Sequence, residues 1–342
     1  MITRDSVLVQ LLCLVDRLPP PPAPARRRGH PRVYSDRMFL KALVVMLVRH
    51  IQTVSGRLAV LEQPTAEMLQ VRELLQEGDQ WPRRRTWERR LQGLPATLPA
   101  QIGCLGRHLL RLLQPWGDHG KAVAVDSTVL RARGGVWHKK HREQGKVPHT
   151  SIDTEAHWTK SGWHGWVYGW KLHLMTTVGS VWLPLGAELT PANAADNETA
   201  RLLLRELPAE VRYVLGDQQY NAPNVREYCE RRDCVVIASL PGAYPHTDPG
   251  VEVRRVFHAL RSRASENFNE QFKAIFDLHG SVPTKGLPNT QRFALGAVLL
   301  YQLTLWQRYE QGLDLRTGLK AYLKAACAFM TGPHLTDYSL IY

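Results

Sequence analysis

Two periodicities divide the chain. From Tyr34 to about Leu113 the apolar residues recur at helical spacing. "SDRMFLKALVVMLVRHI" opens with Ser35, a good N-cap, and "TAEMLQVRELLQE" (65–77) repeats the arrangement behind Thr65. In "WPRRRTWERRLQGL" (81–94) Thr86 is expected to cap a short helix bearing Arg89 and Arg90. From Lys121 the pattern changes. "KAVAVDSTVL" (121–130) reads as a strand, and "GWVYGWKLHLMTTVG" (165–179) and "VWLPLGAELTP" (181–191) read as two strands around a turn at Gly179-Ser180. A capped amphipathic helix (193–207), the strand of "VRYVLGDQQYNAP" (211–223), a helix (223–232) and the apolar strand "CVVIASL" (234–240) follow. A Gly/Pro-rich loop then leads to the helix "HALRSRASENFNEQFKAIFDL" (258–278), and apolar helices close the chain at 290–310 and 315–330.

Three early strands followed by alternating helix and strand predict an α/β fold, a mixed sheet with helices on its faces after an all-helical N-terminal region. "RLPPPPAPARRRGHPR" (17–32) cannot be helix or strand, because proline fixes φ and removes a donor. It reads as a Pro/Arg-rich linker near 18–32 within a helical region 1–118, ahead of a second domain at 119–335. No segment reaches the roughly 18 uninterrupted apolar residues that a membrane span requires. No signal peptide is expected, so a cytoplasmic location is. Five scattered cysteines without a CxxC pair argue against a zinc ribbon or a disulfide scaffold.

Charge adds a partner. The net charge is +13, and residues 1–120 carry 18 Lys/Arg against 10 Asp/Glu. Arginines outnumber lysines 33 to 11, and the guanidinium is the better bidentate partner for phosphate. Double-stranded DNA is therefore the expected polyanion, with a basic solvated surface as the alternative. Arg83, Arg84, Arg85, Arg89 and Arg90 form a candidate DNA-reading helix without a specific helix-turn-helix signature.

Two acids end apolar runs: Asp126 after Ala122–Val125, and Asp217 after the strand at 211–216. Either alone suits a turn or cap as well as a ligand. On neighbouring strands the two carboxylates would converge, and their repulsion would call for a cation. Oxygen ligands of this kind suit Mg²⁺ or Mn²⁺. Glu266, on "SENFNEQFK", is the candidate third carboxylate, with Glu270 one turn on as its competitor and Lys273 on the same face.

"AVDSTVLRA", "LGDQQYNAP" and "SENFNEQFK" together resemble the three acidic motifs of the DDE transposases of prokaryotic insertion sequences, over about 120–310. Tyr220 fits that family's Asp-x-x-Tyr pattern, Glu266 and Lys273 fit its Glu-x6-Lys spacing, and "ADNETA" matches a segment where many relatives place an Asp. Ala259 and Ser262 stand where relatives often carry Tyr and Arg, with Arg261 and Arg263 beside the second position.

The resemblance implies an RNase H-like catalytic domain holding two Mg²⁺ (or Mn²⁺) on Asp126, Asp217 and Glu266, on the order of 3.5–4 Å apart. It implies cleavage at the ends of an insertion sequence and strand transfer into target DNA. The partners would be terminal inverted repeats and target DNA, bound by a homodimer at the nucleoid. Lys273, Arg261, Arg263 and Tyr220 would contact DNA. An RNase H-like nuclease without strand transfer, or a decayed non-catalytic DNA-binding transposase, are the alternatives.

Residues 137–173 hold five of the ten tryptophans and six of the fourteen histidines. A DNA-facing loop would stack bases on Trp137, Trp158 and Trp163, with Lys139, Lys140, Arg142, Lys146 and Lys160 on phosphates. A zinc site starting from His138 and His141 is the competing reading. Trp166, Trp170 and Trp182 are expected in the core. No Gly-x-Ser-x-Gly or P-loop occurs, which argues against a triad hydrolase and an ATP-driven machine.

Overall fold

The computed structural model describes residues 6–21, 33–78, 81–116, 120–162, 165–238 and 251–328. The linker from 22 to 32, Trp163 and the loop 239–250 lie outside the described residues. Six helices come first: α1 (Val7–Asp16), α2 (Asp36–Val48), α3 (Val54–Leu61), α4 (Ala66–Leu74), α5 (Arg84–Gly93) and α6 (Leu98–Leu113). Then come β1 (Ala122–Arg131), α7 (Lys139–Glu143), β2 (His157–Ser161), β3 (Gly165–Thr177), β4 (Pro184–Pro191) and α8 (Asp196–Leu203). The chain continues through β5 (Tyr213–Gly216), α9 (Pro223–Glu230), β6 (Val235–Ala238), α10 (Val251–Ile275), α11 (Leu287–Glu310) and α12 (Leu319–Ala328).

Contacts group these elements into two units rather than at one cut after residue 118. One unit gathers α1 to α4, most of α5, the end of α11, and α12. Here Ser35 and Thr65 cap as expected, accepting from the amides of Met38 and Met68. All of α2 from Met38 to Val48 is buried, so each large apolar side chain contributes roughly 1.5–3 kcal/mol. Even Lys41 lies inside that helix, donating to the Leu74 carbonyl at 2.8 Å and pairing with Asp16 at 2.8 Å. Thr86 departs from expectation. The helix begins two residues earlier, at Arg84, because Trp87 and Leu91 anchor it and place Thr86 inside the first turn.

The second unit gathers α6 to α10, the start of α11 and all six strands. Its sheet runs β2-β3-β1-β5-β6, with β4 also on β3. β1 is antiparallel to β3 from Val123↔Thr177 to Arg131↔Gly169, and parallel to β5, which is parallel to β6. This is a mixed, helix-flanked sheet, preceded by a helical region. One edge of β3 is shared: Gly165–Gly169 pairs with β2, and Trp170–Thr176 pairs with β4.

Packing positions the helices. The Gly106 face of α6 lies so close to β4 that an added Cβ would meet the Pro184 carbonyl oxygen at 2.8 Å. Phe268 of α10 packs edge-on against Tyr301 of α11 at 5.1 Å, and the Tyr301 hydroxyl lies 2.9 Å from Gln271 Oε1 and 3.1 Å from the Trp182 carbonyl oxygen. With Phe268 and Phe272 held inward, the opposite stripe of α10 (Glu266, Asn269, Lys273) faces the end of β1. The helix starts at Val251, seven residues before the boundary read from the sequence. No helix among the described residues is long and apolar enough to cross a membrane.

Candidate active site

β1 and β5 set the site. Their last paired position is Ala124↔Leu215, and two residues beyond it on each strand stand Asp126 and Asp217. A parallel pair keeps such positions level, so both carboxylates reach the same end of the sheet. Asp217 spends one oxygen locally: Oδ1 accepts the Gln219 amide at 2.8 Å and caps the short 3-10 turn Gln218–Tyr220. The cap and site readings of this residue are thus compatible.

α10 closes the cleft from above. Asp126, Asp217, Glu266, Asn269, Glu270, Lys273 and Arg261 line one opening of about 840 Å³. Asn269 Nδ2 donates to Asp126 Oδ2 at 3.3 Å. The Arg261 guanidinium lies 4.0 Å from Asp126 and 3.8 Å from Glu266. Burial pushes the Asp126 carboxyl up to about 6, Arg261 pulls it back, and Asp217 pushes it further up. Burial also lowers the Lys273 ammonium, while Glu270 and Asp126 oppose that shift. Glu266 extends outward with 66% of its side chain exposed, and Glu270 pairs with His279 at 3.4 Å.

The donor chemistry suits a hard divalent cation. Asp126 carries a charge that its neighbours only partly offset, and oxygen donors surround it. Among the described residues, no three His, Cys, Asp or Glu side chains are gathered closely enough to hold a metal as they stand. Arg261 occupies the gap between Asp126 and Glu266 instead.

A second charged cluster borders the cleft; the sequence pointed to Asp196 through "ADNETA" but not to Lys171 and His173. Lys171 Nζ donates to Asp196 Oδ2 and to the Ala194 carbonyl, both at 3.1 Å. Fully buried His173 lies 3.3 Å from Asp196 and 2.8 Å from the Thr190 hydroxyl. Burial holds its imidazole down at about 4, with Asp196 raising and Lys171 lowering it. The signal was present in "KLHL" and "ADNETA", but nothing in the spacing pairs residues across a hairpin.

The other expected contacts divide. Arg83, Arg84, Arg85, Arg89, Arg263, Lys139, Lys140 and Lys160 are exposed. Arg90 instead pairs with Asp36 at 2.5 Å, its guanidinium over the Phe39 ring. Tyr220 is 1% exposed, so its ring fills space under Gly216 rather than facing a ligand. Trp170 is buried and Trp182 partly buried, whereas Trp166 is 66% exposed and not in the core. The strand that carries Trp166 extends past the last residue paired with β1, where only β2 lies beside it in the ladder among the described residues.

Residues 118–276 match the family model of the transposase DDE domain, a span holding Asp126, Asp217 and Glu266. The resemblance to DDE transposases rests on that segment. Among solved structures, the chain is similar to the piggyBac transposase synaptic complex with hairpin DNA. That similarity is at 9% identity and TM-score 0.44, over 97% of this chain and 80% of that one. It is also similar to the pre-cleavage Mos1 transpososome and to the Mos1 mariner paired end complex with Mn. Each of these matches at 15% identity and TM-score 0.21, over 90% of this chain and 82% of that one. No curated protein matches.

Proposed function

We propose that this chain is a DNA transposase that cuts the ends of an insertion sequence and joins them to target DNA. The observation that carries the reading is the level placement of Asp126 and Asp217 on adjacent parallel strands, with Glu266 across the same cleft. The match of 118–276 to the transposase DDE domain supports it.

Asp126, Asp217 and Glu266 would hold Mg²⁺ or Mn²⁺, which when bound supplies an activated oxygen nucleophile and charge relief at phosphorus. The chain's own residues do the rest. Asp217 is fixed in orientation by the Gln219 amide, and Asn269 holds one oxygen of Asp126, so both carboxylates are preorganised. Glu266 lines the same cleft from an exposed position on α10, where it would complete the ligand set. Lys273, inside the cleft, holds a phosphate oxygen near the scissile bond. Exposed Arg83, Arg84, Arg85 and Arg89 on and beside α5 bind the terminal repeat through its phosphates. Synapsis of two ends brings two chains together on DNA.

The test supplies terminal-repeat DNA and a target plasmid with Mg²⁺ or Mn²⁺. The intact chain yields cleaved and then joined product, and D126A, D217A and E266A each abolish both. Cleavage without joining from a pre-cut end assigns a nuclease instead. Retained activity in all three variants rejects the carboxylate assignment.

A further inference from the structure

The segment between β1 and β3 builds a second cavity, separate from the acidic cleft. β2 and the start of β3 form a two-stranded arm with the pairs Trp158↔Tyr168 and Lys160↔Trp166. Alternation along a strand puts these four side chains on one face. His138, Lys139, Arg142, His157, Trp158 and Trp166 enclose a groove of about 610 Å³ there.

One wall of the groove is fixed. Trp158 Nε1 donates to the Trp137 carbonyl at 2.9 Å, and Trp137 Nε1 donates to the Lys146 carbonyl at 2.6 Å. The Trp158 ring packs at 5.3 Å from Tyr168 and 6.3 Å from His138, the latter tilted by 32°. Trp166 is the other wall and keeps 66% of its surface exposed. A tryptophan left open beside an ordered aromatic on the same face is a platform for stacking.

The charges choose the occupant. Arg142 lies 2.6 Å from His157 and over the Trp137 ring, with its guanidinium on the groove, while Lys139 stands at the lip, 3.7 Å from Glu143. Among the described residues, no carboxylate lines the groove itself. An apolar slot of aromatic faces rimmed by cations fits a flat ring attached to phosphate, which is a nucleotide. Lys160 also lines the acidic cleft, so β2 contributes to both cavities, His157 and Trp158 to the groove and Thr159 to Ser161 to the cleft.

We propose that the groove takes an unpaired nucleobase of a DNA strand whose backbone passes Lys160 into the acidic cleft. The base stacks on Trp166 and Trp158, and Arg142 and Lys139 take the flanking phosphates. The choice of DNA as the strand rests on the transposase reading; the stacking geometry does not.

The test uses the full chain in EDTA with two 20-base-pair duplexes, one perfect and one carrying a single extrahelical 2-aminopurine. The chain binds the bulged duplex about tenfold more tightly and quenches its fluorescence. W166A, at an exposed position that folding does not need, loses the preference and the quench but still binds the perfect duplex. W166F retains most of both. D126N, expected to abolish cleavage, keeps the quench, so this site and the catalytic reading fail separately. The proposal is overturned if the intact chain shows no quench while cutting terminal-repeat DNA, or if W166A matches the intact chain. It is also overturned if W166A weakens both duplexes equally, since the arm is then a general DNA surface.

Discussion

Arg261 holds its guanidinium 4.0 Å from the Asp126 carboxylate, inside the cleft that Asp126, Asp217 and Glu266 line. The same side chain lies 3.8 Å from Glu266, so one protein cation serves two of the proposed ligands. Arg261 and a divalent ion therefore compete for the same negative potential. R261Q is expected to tighten Mn²⁺ binding by roughly tenfold, since one unit charge a few ångströms away is worth a kcal/mol or more at this depth. Titration calorimetry without DNA measures it, and unchanged or weaker binding removes Arg261 from that role.

Asp126 makes the free site costly. Its carboxyl stands at about 6 when folded, against an ordinary value of 3.8, so the folded chain holds the proton more tightly than the unfolded one. The cost is absent below about 3.8, grows as pH rises, and is complete above about 6. D126N is expected to stabilise the metal-free chain at pH 7.5 by on the order of 2 kcal/mol, reduced from the full shift because 18% of the side chain is exposed. It should add nothing at pH 3.8. Denaturant titrations at both pH values, without metal, read the difference.

His173 works in the opposite direction. Its imidazole is held at about 4 against 6.5, so the unfolded chain takes up the proton first. Stability from the neutral ring is present above 6.5 and is lost as pH falls toward 4. H173N should therefore flatten the dependence of melting temperature on pH between 6.5 and 4, relative to the intact chain. A parallel slope in both proteins would mean that the ring next to Asp196 is not the group that titrates.

Tyr220 separates packing from recognition. Its hydroxyl is buried without a hydrogen-bond partner among the described residues, and an added Cβ on Gly216 would meet Tyr220 Cβ at 2.6 Å. Y220F is expected to bind DNA within about twofold of the intact chain and to be no less stable, because it removes an unmatched polar group. G216A pushes on the Tyr220 ring and hence on the turn that Asp217 caps. It should cost about 1–3 kcal/mol and reduce cleavage. A Y220F variant that folds but loses DNA binding would restore the hydroxyl to the interface.

Legibility in the sequence followed burial. Asp126 and Asp217 stood out because each interrupts a buried apolar run, Asp126 in the middle of β1 and Asp217 just past the end of β5. β2 and α7 left no such mark. β2 has no fully buried position to impose alternation, so Trp158 and Lys160 read as part of a polar stretch, while Trp166 and Tyr168 read within the following strand. Trp166 was expected in the core on the rule that aromatic strand residues are inside, and that rule fails where a strand outruns its neighbour. Arg90 and Arg89 are adjacent in sequence, yet only the tertiary pairing of Arg90 with Asp36 distinguishes a packing arginine from a free one.

β3 is one uninterrupted strand of 13 residues, about 40 Å long. From Trp170 onward it is clamped between β1 and β4, and before Gly169 its ladder partner is β2, with further bonds only at Tyr168, to the Ala132 amide and the Asp153 carbonyl, among the described residues. It is thus a cantilever whose fixed end carries Lys171 and His173 beside the acidic cleft and whose free end carries Trp166. The two spans meet at Gly169, where an added Cβ would meet the Leu130 carbonyl oxygen at 2.0 Å, so β1 grips the beam at its root. A base stacked on Trp166 would thus load the same strand that holds Lys171 and His173 beside the acidic cleft.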